Sequence, residues 1–95
     1  MATALTAPER EALAASHPAW TIDGETVRRT FGFLDFAAAM GFVTRVALSA
    51  EKADHHPDID VRWNKVTLTL STHSIGALSD LDRSLVATID AWQPT

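Results

Sequence analysis

Apolar residues in this chain switch between helical and strand-like spacing, and each switch marks an element. Thr6-Ala7-Pro8-Glu9 predicts a helix start. The Thr6 hydroxyl can cap, Glu9 can reach back to it, and Pro8 falls where a missing N–H costs nothing. That helix should run to about Ser16, because a proline at position 18 drives His17 out of helical geometry. His17 is therefore expected at a solvated helix exit. Trp20 to Ile22, Asp23-Gly24 and Thr26 to Phe33 then read as a hairpin, since Asp-Gly supplies the positive φ angles of a tight turn. Val27, Phe31 and Phe33 share one face of its second strand. Arg29 interrupts that face, and the pair Arg28-Arg29 is expected at a solvated strand edge.

Asp35 caps the next predicted helix, Phe36 to about Ala53, in which Phe36, Met40, Val43, Ala47 and Ala50 fall at helical spacing. Phe42 and Val46 widen that stripe to an arc of roughly 160°, and Leu48 lies outside it. Such a helix covers a sheet with apolar surface left over, a hint of self-association. It must end by His55, because His56 precedes Pro57. Beyond it, Ile59, Val61 and Trp63 occupy odd positions, whereas Val66, Leu68 and Leu70 occupy even ones. A two-residue turn at Asn64-Lys65 explains the change by pairing Trp63 with Val66, Val61 with Leu68 and Ile59 with Leu70, all on one buried face. Extended further, this register sets His73 opposite His56. After a turn at Gly76, Ser79 and Asp82 stand in capping-box spacing at the start of a last helix. Its stripe is Leu81, Leu85, Ile89 and Trp92, and Pro94 ends it. The order α-β-β-α-β-β-α predicts a single α+β domain over residues 1–95. Two hairpins join as a four-stranded antiparallel sheet with the helices packed on one face.

Composition narrows the function. With 46% hydrophobic residues and a mean hydropathy near zero, the chain is of ordinary globular type. No apolar run approaches the ~18 residues that span a bilayer, so no membrane partner is expected. The first ten residues lack a basic start followed by a sustained apolar segment, which makes cytoplasmic residence the expectation. The absence of cysteine excludes disulfides, thiolate nucleophiles and zinc sites built on sulfur. A net charge of −4 and a pI of 5.4 argue against a nucleic-acid partner, whose phosphates demand clustered Lys and Arg.

The chemistry that remains lies in His55, His56 and His73. Free imidazoles titrate near neutral pH, so each can give or take a proton. Glu51 and Asp54, on the adjoining helix end, can orient an imidazole. No serine sits in a Gly-x-Ser-x-Gly elbow, which sets covalent catalysis aside. A metal is not expected either: adjacent histidines point in divergent directions, and the i, i+4 pair of a helical zinc motif is absent. The plain structural reading of the same residues is histidines that end a helix and decorate a hairpin edge, with Asp82 explained completely by its capping box.

Several correctly spaced elements point further. Glu51-x-x-Asp54-His55-His56-Pro57, then Trp63-Asn64-Lys65-Val66, Leu70-Ser71-Thr72-His73 and Gly76-x-Leu78-Ser79-x-x-Asp82 together resemble the pterin-4a-carbinolamine dehydratase family. Phe31-x-Phe33-x-Asp35-Phe36 and Gly41-Phe42-x-Thr44-Arg45-Val46-Ala47 are similar to it as well, so the likeness runs from Trp20 to Ile89. The chain departs at Ile59 and Asp60, where many relatives carry aromatics. The resemblance implies the same sheet-and-helix fold and a hydro-lyase that removes water from 4a-hydroxytetrahydropterin to give the quinonoid dihydropterin. It implies no metal or organic cofactor, and a role in recycling a pterin. Carried over residue by residue, it makes His55, His56 and His73 the catalytic candidates and Glu51, Asp54, Ser71 and Thr72 the substrate contacts. Asp82 and Trp63 follow as supporting residues. A homodimer or homotetramer is the expected assembly. The alternative is a non-catalytic interaction module, because relatives also bind transcription factors through helix surfaces.

Overall fold

The computed structural model describes residues 2–93 and makes each predicted helix start from the cap the sequence supplies. Helix α1 (Ala7–Ser16) opens at Thr6, whose N–H donates to the Glu9 carboxylate at 2.9 Å while the Glu9 N–H donates to the Thr6 hydroxyl. Helix α2 (Phe36–Ala53) opens at Asp35, which accepts from the Ala38 N–H at 2.8 Å. Helix α3 (Asp80–Trp92) opens at Ser79, with Asp82 closing a capping box. Gln93 caps its end; Pro94, expected to stop it, lies outside the described residues.

Strands β1 (Thr21–Asp23), β2 (Thr26–Gly32), β3 (Asp58–Arg62) and β4 (Lys65–Leu70) form one antiparallel sheet in the order β1-β2-β4-β3. The two hairpins join through β2 and β4, where Val27 pairs with Leu70 and Phe31 with Val66. These residues, with Leu68, are buried against Ala39, Phe42 and Val46 of α2 and Leu85, Val86 and Ile89 of α3. Element order, sheet and one-sided helices are therefore as the residue pattern predicted.

Five local expectations need correction. The second hairpin reverses at Trp63-Asn64 rather than Asn64-Lys65, so Arg62 pairs with Lys65, Val61 with Val66 and Ile59 with Leu68. Asn64 explains the shift: its carbonyl accepts from the Phe33 N–H at 2.9 Å and its side-chain amide donates to the Phe33 carbonyl at 2.8 Å. Those bonds fasten Asn64 to the end of β2 and leave Trp63, at φ 53°, to make the turn. Side-chain parity survives, but Trp63 leaves the strand with 71% of its surface exposed, and Ile59 on the sheet edge keeps 39%. The first hairpin likewise turns one residue later, at Gly24-Glu25, with Asp23 paired to Thr26.

On α2 the buried stripe is Ala39, Phe42, Val46 and Ala50, leaving Phe36, Met40 and Ala47 exposed. The expected leftover apolar surface is thus Phe36, Met40 and Leu48. Finally, neither Arg29 nor His17 is solvated as expected. Arg29 is only 8% exposed, and its guanidinium donates to Asp90 of α3 at 2.9 Å. The same carboxylate accepts from Trp20 Nε1 at 2.8 Å and bonds His17 Nδ1 at 2.7 Å. A charged residue on the apolar face is tolerated because α3 brings it a partner.

Candidate active site

The C-terminus of α2 delivers the first two histidines. Asp54 closes the helix in the left-handed region, at φ 51° and ψ 41°, a conformation that short polar side chains accept. Its N–H and that of His55 return to carbonyls of the last turn, and Pro57 then starts the chain toward β3. The third histidine arrives on a tight turn after β4. The bridge between Thr72 and Ala77 closes that turn, and the Gly76 N–H donates to the His73 carbonyl at 3.2 Å. Gly76 sits at φ 62°, where a Cβ would meet nothing within 4 Å. Gly76→Ala should therefore cost about 1 kcal/mol from backbone conformation alone, read as a lower urea midpoint with unchanged slope.

Asp54, His55, His56, Ser71, Thr72, His73, Ser74 and Leu81 surround a hollow of about 290 Å³. The predicted cross-strand pairing of His73 with His56 does not form. The ladder ends at Asp58 and Thr69, and His73 reaches the hollow from its turn. Glu51 is not part of the lining; it holds His56, with Oε1 2.6 Å from Nε2, on an exposed surface where such a pair contributes little to stability. Ser71 lines the hollow while donating its proton to the Glu25 carbonyl at 2.7 Å. Trp63, expected as support, lies in the turn at the other end of the β3–β4 hairpin and does not line the hollow.

Asp82 does more than the capping box that seemed to explain it. It is fully buried, and its Oδ1 stands 2.5 Å from Nε2 of His55, whose side chain is 11% exposed. Its Oδ2 accepts from the Thr72 hydroxyl at 2.8 Å and the Ser79 N–H at 2.9 Å. Proton counting fixes the rest. Thr72 gives its one proton to Asp82, so Ser79 Oγ, 2.6 Å away, donates to Thr72 and itself accepts from the Leu81 N–H. With Asp82 as a carboxylate, its Oδ1 accepts the Nε2–H of His55, and Nδ1 is then the unprotonated nitrogen of that ring. Buried charge inside a spacing that reads as a cap was the missed signal. Leu81, assigned to the core stripe, instead walls the hollow because it sits on the first turn of α3.

A wider hollow of about 680 Å³ opens between α2 and α3, but its titratable lining is Arg45 and Lys52, neither suited to proton exchange near neutral pH. The smaller hollow is the one lined by imidazoles, His55, His56 and His73. Among the described residues no group of three or more His, Cys, Asp or Glu is placed to hold a metal ion. No helix of the described chain is long and apolar enough to cross a membrane.

Fold and site together define a class: a two-layer α+β protein, helices on one face of an antiparallel sheet, carrying a histidine cluster at one sheet end, backed by a buried carboxylate. Residues 3–92 match the family model described as pterin 4 alpha carbinolamine dehydratase, and the chain belongs to that family. It is 48% identical over 90 residues to a protein of Roseiflexus castenholzii, covering 95% of this chain and 97% of that one. A protein of Mycobacteroides abscessus is 46% identical over 86 residues, 90% of this chain and 92% of that one. Both bear the name pterin-4-alpha-carbinolamine dehydratase provisionally. Among solved structures, a transcriptional coactivator/pterin dehydratase from Brucella melitensis superposes with a TM-score of 0.87 at 36% identity, over 94% of this chain and 97% of that one. A pterin dehydratase-like protein identified as a RuBisCO assembly factor of the alpha-carboxysome shares the fold, with a TM-score of 0.61 at 23% identity, over 76% of this chain and 83% of that one.

Proposed function

We propose that the chain dehydrates a 4a-hydroxytetrahydropterin to the quinonoid dihydropterin by histidine acid–base catalysis, without metal or organic cofactor. The observation that carries this reading is the meeting of His55, His56 and His73 around one hollow, with His55 held by buried Asp82. At the carbinolamine carbon the neighbouring nitrogen expels the hydroxyl as its C–O bond breaks. The departing oxygen takes a proton and leaves as water, and the N5 proton is collected as the C=N bond forms. His55 is assigned the base, because Asp82 stabilises the imidazolium that results. His73, exposed on its turn, is assigned the acid, reloaded from solvent. His56, paired with Glu51, holds the pterin alongside Asp54 and Ser71, whereas Thr72, expected as a substrate contact, is buried with its hydroxyl committed to Asp82 and Ser79 and supports His55 instead. Positioned groups of this kind supply about 10² to 10⁴ in rate.

The test is the ultraviolet change on mixing purified protein with a 4a-hydroxypterin, with and without a chelator. Turnover indifferent to the chelator supports the reading; chelator-sensitive turnover would call for a metal, and none at all would defeat it. Phe36, Met40 and Leu48, exposed on α2, favour a homodimer or homotetramer, and the same surface suits the second reading, a protein-interaction role.

A further inference from the structure

Glu25 occupies the β1–β2 turn, remote in sequence from every residue of the hollow, yet it meets both ends of the turn that carries His73. Its backbone carbonyl accepts the Ser71 hydroxyl at 2.7 Å, just before His73. Its carboxylate accepts the Leu78 N–H at 3.1 Å, just after. Arg10 of α1 braces the arrangement, donating to the Glu25 carboxylate at 3.0 Å and to the Gly24 carbonyl. Between those two attachments the turn is closed by its own backbone bonds, and His73 itself is exposed.

We propose that Glu25 is a positioning residue for His73: by holding Ser71 and Leu78 at once, it sets where the imidazole stands relative to His55. This deepens the proposed function and rests on it for its catalytic meaning. Displacing an acid or base by a fraction of an ångström is enough to slow proton transfer, so a remote residue can act on rate without touching substrate. The Leu78 N–H holds the Glu25 carboxyl below the usual glutamate range, against the opposing effect of desolvation and with Arg10 adding to it. A depressed folded-state value means that the attachment is complete above the ordinary glutamate value and is lost only as pH falls through the lower one. The attachment of the turn that carries His73 is therefore in place at neutral pH.

The test compares Glu25→Ala with Glu25→Gln, which keeps a side-chain oxygen for Leu78. Glu25→Ala should lower kcat about fivefold with KM within about twofold. The thermal midpoint should drop by no more than about 5 °C. In ¹H–¹⁵N spectra the His73 imidazole signals should shift or broaden while those of His17 stay in place. Glu25→Gln should recover most of the rate. Unmoved His73 signals in Glu25→Ala would overturn the proposal. So would movement of every histidine signal with a collapsed midpoint, or a Glu25→Gln variant as impaired as Glu25→Ala. A wild-type protein without turnover would sink the dehydratase reading, and the His73 spectra would still decide whether Glu25 holds that residue.

Discussion

His73→Ala is expected to lower kcat for carbinolamine dehydration by about 10²-fold while leaving thermal stability unchanged. The separation of the two effects follows from where His73 stands. Its side chain is exposed, and the turn that carries it is closed through main-chain atoms, including the His73 carbonyl that accepts the Gly76 N–H. Alanine keeps every one of those bonds. What disappears is the acid proposed to act on the departing oxygen as its bond breaks, so kcat should fall with little change in KM. Stopped-flow ultraviolet measurements on matched protein concentrations decide it. A rate within about threefold of wild type would remove His73 from the chemistry.

How much of this was legible in the sequence depends on which interaction decided each feature. Helix starts were readable because a cap is local: Thr6, Asp35 and Ser79 each meet an N–H two or three residues on. Strand parity was readable too, since burial of one sheet face imposes a period of two on Val66, Leu68 and Leu70. The reversal at Trp63-Asn64 was not, because Phe33 decides it, about thirty residues away in the chain. Arg29 reads as a flaw in an apolar strand until α3 brings Asp90 over it. The same holds for the hollow. The His-His-Pro corner and His73 were visible as candidates, whereas the hold of Asp82 on His55 and of Glu25 on the His73 turn are contacts between distant elements. Local pattern named the participants, and long-range contacts arranged them.

Asp82→Asn and Asp90→Asn form the sharpest pair of tests, because the two carboxylates have like surroundings and different roles. Each sits on α3 and takes three partners from other parts of the chain or its own cap. In Asp82→Asn the new carbonyl should turn toward Thr72 and the Ser79 N–H, which satisfies two donors and points the amide N–H at His55. That ring must then accept through Nε2 and carry its proton on Nδ1, the wrong tautomer for a base. A tautomer switch of this kind costs up to about 10⁴ in rate, so activity should fall by about 10² or more. Only about 1 to 2 kcal/mol of stability should be lost, since the side chain keeps its shape and most of its bonds. Asp90→Asn weakens the bond to buried Arg29 and should cost about 2 kcal/mol, the scale of a charged hydrogen bond. It should nevertheless leave turnover of the folded protein within about twofold of wild type, because none of its partners lines the hollow. Urea melts and kcat measured on both variants therefore separate holding the fold from holding the base. Equal losses of activity at the two positions would reduce Asp82 to a structural carboxylate and leave His55 without the partner that makes it the proposed base.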